Sequence, residues 1–109
     1  MESDIELKIT FRFICLSDSQ ADKLSEEFEE SKFGKHFKTK MPVGLIPLKE
    51  ENIQLISKFI ATNNIATENT DIFISFITEY DTRIVEIPQY VARAATELKS
   101  KMTLSYTIN

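Results

Sequence analysis

The stretch from Thr70 to Asn109 constrains the fold most, because it is punctuated with almost no spare residues. Thr70-Asp71 opens an apolar strand over Ile72 to Tyr80, with Ile72, Ile74 and Phe76 on one face and Phe73 and Ile77 on the other. Apolar residues on both faces mark a central strand covered on two sides, or covered on one side and paired with a partner on the other. Glu79 to Thr82 supplies a turn, and Arg83 to Ile87 returns as a short hairpin strand. Pro88 suits the first position of a helix, where no amide hydrogen bond is needed. Val91, Ala94, Ala95 and Leu98 give that helix a narrow stripe able to lie close on a sheet. Met102, Leu104, Tyr106 and Ile108 then alternate with Thr103, Ser105 and Thr107 in a closing strand.

The first half carries the same kind of signals. Ile5, Leu7, Ile9, Phe11 and Phe13 alternate with Glu6, Lys8, Thr10 and Arg12, the pattern of a strand with one buried and one wet face. The alternation breaks at Ile14-Cys15-Leu16, where a second layer is expected. Ser17 with Gln20 reads as a capping box, and Asp18 favours the positive end of the helix dipole. The helix is predicted to run to Ser31 or Lys32 with Ala21, Leu24 and Phe28 inward, and Gly34 is its expected stop. Lys35 to Leu48 is irregular, interrupted by Pro42, Gly44 and Pro47. A short strand near His36 to Met41 fits it, and so does an exposed loop over Val43, Leu45 and Ile46. A second helix is predicted over Lys49 to Thr62, with Ile53, Ile56, Phe59 and Ile60 at helical spacing and Asn63-Asn64 as its end. The expected fold is one α+β domain over residues 1–109. Its order is β-α-(β)-α-β-β-α-β: a single mostly antiparallel sheet with helices packed on one face, where a helical crossover permits the final strand to pair in parallel.

A chain of 109 residues can bury a core without disulfides or metal. The single Cys15 excludes an intramolecular disulfide and a Cys-rich zinc site. The N-terminus is acidic where a secretory signal is basic, and no apolar run is long enough to span a bilayer, so the expected compartment is the cytoplasm. With glycine only at positions 34 and 44, neither a P-loop nor a dinucleotide fingerprint can be written. One His and one Cys make no zinc site, no EF-hand loop is present, and no serine sits in a nucleophile elbow. The expectation is a protein with no catalytic residues, metal or cofactor.

Two charge features remain. Lys32, Lys35, Lys38 and Lys40 interleave with His36, Phe33 and Phe37, a composition that can stack bases and neutralise phosphates. The favoured reading places both phenylalanines in the core and leaves the lysines to solvate a loop, because the adjacent helix, with six acids and one lysine over residues 18–30, opposes the approach of a polyanion. The first helix is acidic on its outer face, through Asp22, Glu26, Glu27, Glu29 and Glu30, and Glu50 and Glu51 open the second. Such a surface solvates a helix, or steers a basic protein partner.

Val85 to Val91 and Leu104 to Ile108 resemble the end of a widespread bacterial family of small α+β proteins in which a strand leads through a proline-started helix into a final strand. Leu48 to Ile77 is similar to the helix and apolar strand that precede it there. Small acidic domains of this kind also resemble immunity proteins of bacterial polymorphic-toxin and contact-dependent inhibition systems. That resemblance implies a non-enzymatic protein that binds one toxin domain and blocks it. The partner is then expected to be a basic toxin domain, with Glu26, Glu27, Glu29, Glu30, Glu50 and Glu51 as steering residues chosen from charge alone. The alternatives are a self-associating structural or regulatory domain, a homodimer through Ile72 to Ile77, or a nucleic-acid module using Lys35 to Lys40.

Overall fold

Period-two alternation over Ile5–Phe13 produces the strand about which the sheet is assembled, β1. The structure is a computed structural model that describes residues 5–78 and 86–108. The remaining elements are helix α1 (Asp18–Glu27), strands β2 (Lys32–Lys35) and β3 (Pro42–Pro47), helix α2 (Ile53–Thr62), strand β4 (Thr70–Thr78), helix α3 (Gln89–Leu98) and strand β5 (Lys101–Ile108). Among the described residues five strands form one sheet in the order β2-β3-β1-β4-β5. The β1–β3, β1–β4 and β2–β3 pairings are antiparallel, and β5 runs parallel to β4 after the α3 crossover. The α+β class and the single, mostly antiparallel sheet are therefore as the sequence predicts.

The core forms between one sheet face and the helices. Phe11, Phe13, Ile46, Ile72 and Ile74 meet Leu24, Phe28, Ile53, Ile56, Phe59, Val91, Ala94 and Leu98. Phe59 sits at its centre, edge-on to Phe13 and Phe28 at centroid separations of 5.6 and 5.8 Å. Edge-to-face geometry of this kind adds to the gain from burial alone. Gly44 lies where α1 presses on β3, and a Cβ there would collide with Leu24 Cδ2. Any larger residue at this point would force the Leu24 and Leu16 side chains to shift. Gln20 ties two helix ends together: its amide oxygen accepts from Ser17 N–H and its amide nitrogen donates to Asn63 O, both at 2.9 Å.

Several boundaries differ from the predicted ones. α1 stops at Glu27, because Phe28 takes an extended conformation (φ −126°, ψ 101°) and turns into the core. Gly34 is not a helix stop; it lies within β2. The segment His36 to Met41 is neither strand nor covering loop but the turn of the β2–β3 hairpin, closed by His36 N–H donating to Met41 O at 2.9 Å. A 3₁₀ turn over Glu50–Asn52 precedes α2. β4 is interior, paired with β1 on one side and β5 on the other, so Ile72 to Ile77 offers no open edge to another subunit. The expected turn at Glu79 to Thr82 and most of the expected strand to Ile87 lie outside the described residues. No helix among those described is long and apolar enough to cross a membrane.

Candidate functional site

The early end of α1 decides where its acids go. With Phe28 turned inward, its N–H still donates to Leu24 O at 2.9 Å, and Ser31 N–H returns to Phe28 O at 3.1 Å. Glu29 and Glu30 therefore sit on a tight turn and not on a helical face, contrary to the sequence expectation. This turn faces the 3₁₀ segment that leads into α2. Asn52 holds that segment in place: its side-chain oxygen accepts from Lys49 N–H at 2.9 Å and its amide donates to Pro47 O at 2.8 Å.

Between the two segments lies a groove of about 260 Å³ lined by Glu27, Glu29, Glu30 and Glu51, with Lys49 and Asn52 on its wall and Phe28, Ile46 and Pro47 contributing apolar surface. Lys49 Nζ donates to Glu30 Oε1 at 2.9 Å. That hydrogen bond and the charge of Glu30 hold the Lys49 ammonium above its usual range. On the far side of Glu51, Tyr90 donates its hydroxyl to Leu48 O at 3.3 Å. Burial raises the Tyr90 phenol, and Glu51 and Glu50 raise it further. All six acids singled out by sequence are exposed. The fold gathers Glu27, Glu29, Glu30 and Glu51 into this groove. Glu50 instead points to Arg93, 3.5 Å away, and Glu26 lies outside the lining. Charge pattern did not signal Lys49, Asn52 or Pro47.

The groove opens past Glu30, Ile46 and Pro47 onto a second depression of about 410 Å³, which adds Lys8, Ile9, Thr10, Lys32 and Leu45. Together they form a shallow channel with an apolar floor and charged rims, rich in carboxylates at the α1 end.

The basic-aromatic segment lies at the other end of β3. Phe37 is 74% exposed and Phe33 43%, so neither enters the core, and the sequence expectation that they do is overturned. The reason is positional: among the described residues β2 is the sheet edge, and all four of its residues are exposed. His36 organises the turn, its Nδ1 accepting from Lys38 N–H at 3.1 Å and Thr39 N–H at 3.3 Å. Phe37 stacks on the His36 ring at 5.1 Å. Lys40 completes the turn with a left-handed backbone (φ 62°).

Cys15 is free and half-buried beyond the end of β1. Among the described residues no three His, Cys, Asp or Glu side chains converge as a metal site. No protein-family model, curated protein or solved structure matches the chain.

Proposed function

We propose that this chain is a non-catalytic protein-binding module of the cytoplasm, an immunity protein that neutralises a cognate bacterial toxin domain by direct contact. One observation carries the reading: carboxylates from separate parts of the chain, Glu27 to Glu30 and Glu51, converge on a single groove with an apolar floor. A lysine or arginine stem packs on such a floor while its charged head meets the rim. Complementary charge of this kind speeds encounter and rejects partners of the wrong sign. Lys49 occupies one rim carboxylate, which leaves Glu27, Glu29 and Glu51 as the steering set.

The test is co-expression with a candidate toxin domain. Restored growth and a complex that survives gel filtration support the reading. Unrelieved toxicity with both proteins soluble contradicts it.

The exposure of Phe33 and Phe37 favours a second reading, in which the β2–β3 hairpin binds single-stranded nucleic acid. Residues 31–48 hold four lysines and no acid within an acidic chain. Salt-sensitive binding of an oligonucleotide that is lost in Phe37→Ala supports this alternative.

A further inference from the structure

The β2–β3 hairpin runs past the end of the sheet. The last β1–β3 pair is Phe13 with Gly44, and the hairpin carries on through Gly34 with Val43 and Lys35 with Pro42 to its turn at residues 36–41. Phe37 and Met41 are exposed on this turn, and Lys35, Lys38 and Lys40 are exposed around them. Ile5, Thr78 and Ile108 are register neighbours at the opposite end of the sheet, and residues 1–4, 79–85 and 109 start from there. β1 from Ile5 to Phe13 is about 27 Å long. Residues 1–4, and 79–85 held at Thr78 and Glu86, each reach about 14 Å at most, which falls short of the turn.

Charge is divided along the same axis. Lys99 and Lys101 are exposed at the hairpin end of the sheet, where β5 begins beside Asp71. Asp18 and Glu68 also lie at this end, but its balance stays positive. The carboxylates of the acidic groove lie by Pro47, at the far end of β3 from the turn. The five steps from Pro42 to Pro47 cover about 17 Å, or about two Debye lengths at physiological ionic strength. Those acids therefore weigh little at the tip.

We propose that this hairpin docks the protein on an anionic lipid bilayer, with Phe37 and Met41 entering the interface and Lys35, Lys38 and Lys40 meeting headgroup phosphates. The composition selects this occupant. Residues 31–48 hold four lysines, no acid and no arginine. Lysine stems lie along apolar surface while their ammonium groups stay at the water boundary, and each lysine near an anionic leaflet adds about fivefold to partitioning. A nucleic base instead needs a ring face on which to stack. Phe37 already stacks on His36 with the ring planes 12° apart, and the Lys38 ammonium stands over the ring 5.6 Å from its centroid. Less of its faces is left to a base than its exposure suggests, whereas insertion into lipid uses the edge as well. Met41 adds to insertion and nothing to stacking. None of these residues lines the acidic groove or the depression beside it, so both stay open in the docked protein.

Co-sedimentation of the full chain with vesicles tests the proposal. Binding is expected to vesicles of equal parts phosphatidylcholine and phosphatidylglycerol, weakening as salt rises, and not to phosphatidylcholine alone. Lys35→Gln with Lys38→Gln is expected to weaken it at least tenfold, and Phe37→Ala about tenfold, with circular dichroism unchanged because these sites are exposed. The chain has no tryptophan, so Phe37→Trp supplies a single probe of the tip. Its emission is expected to shift to the blue on the mixed vesicles and to be quenched by lipids brominated in their acyl chains. Leu55→Trp, exposed on α2, is expected to show neither effect. No binding to the mixed vesicles at low salt overturns the proposal. So does equal quenching at the two positions. An oligonucleotide bound in preference to the vesicles, with Phe37→Trp unquenched by brominated lipid, overturns it in favour of nucleic acid.

Discussion

Arg12 and Asp71 stand directly opposite each other on β1 and β4 and are joined by two side-chain hydrogen bonds, Nε to Oδ1 at 2.6 Å and Nη2 to Oδ2. Thr103 on β5 donates to the same carboxylate at 2.8 Å, and the Arg12 guanidinium lies 4.2 Å from the centroid of the Phe73 ring. The sheet face turned away from the helices thus carries a polar clamp across three adjacent strands. Phe73, on the face that the sequence reads as either covered or paired with a partner, is half-buried, and among the described residues the arginine lies over its ring.

The clamp predicts an asymmetry between its members. The Asp71 side chain is 2% exposed and that of Arg12 28%. Removing the arginine takes the countercharge from a buried carboxylate and leaves it the hydrogen bond from Thr103. Arg12→Ala is therefore expected to cost about 3 kcal/mol. Asp71→Ala leaves an arginine that can swing outward, and is expected to cost about 1–2 kcal/mol. Urea unfolding of both variants and of the double mutant measures the difference, and equal losses would contradict the clamp.

The same pair sets an acid limit. Burial alone pushes the Asp71 carboxyl up, but the hydrogen bonds from Arg12 and Thr103, with the charges of Arg12 and Lys101, prevail and hold it below its ordinary value. A carboxylate with a lowered folded pKa contributes stability above its unfolded pKa, about 3.9. That contribution is lost as pH falls through the folded value. The stability gap between wild type and Asp71→Asn is accordingly expected to be constant near neutrality and to close below about pH 4. A gap independent of pH down to the acid transition would contradict this assignment.

Gly44→Ala tests the contact that seats α1. Its new methyl group collides with Leu24 Cδ2 and meets Leu16 Cδ1 at 3.0 Å, and both leucines are fully buried. Overpacking of this kind is expected to cost about 1–3 kcal/mol. Thermal unfolding measures the loss, and a Leu24→Ala change made together with it should recover part of the strain while adding a cavity of its own.

What the sequence made legible was local. The Ser17–Gln20 capping box, the alternation of β1 and the parity of Ile72 to Ile77 depend on neighbours within a few residues, and each stands as predicted. The errors came from contacts across the chain. Phe28 leaves the helix to meet Phe59, which redirects Glu29 and Glu30 and brings them to Glu51. Opposing acidic charge argues from sequence for Phe33 and Phe37 in the core, but nothing in the sequence says that β2 is the sheet edge among the described residues. The Arg12–Asp71 clamp spans 59 positions, so alternation placed Arg12 on the wet face without revealing what it holds.

The hairpin yields a prediction of opposite sense. Phe37 is mostly in solvent, so Phe37→Ala is expected to change stability by less than about 0.5 kcal/mol. A larger loss would show that the ring packs against the body of the protein and is not free to meet a ligand.

The most direct test of the proposed function is stopped-flow association with a toxin domain that the chain neutralises in co-expression, for the wild type and for Glu27→Lys, Glu29→Lys and Glu51→Lys combined. The acidic groove predicts association slowed about tenfold or more, with a flatter dependence on salt and unaltered thermal unfolding. An association rate and salt slope equal to those of the wild type would remove the groove from the interface.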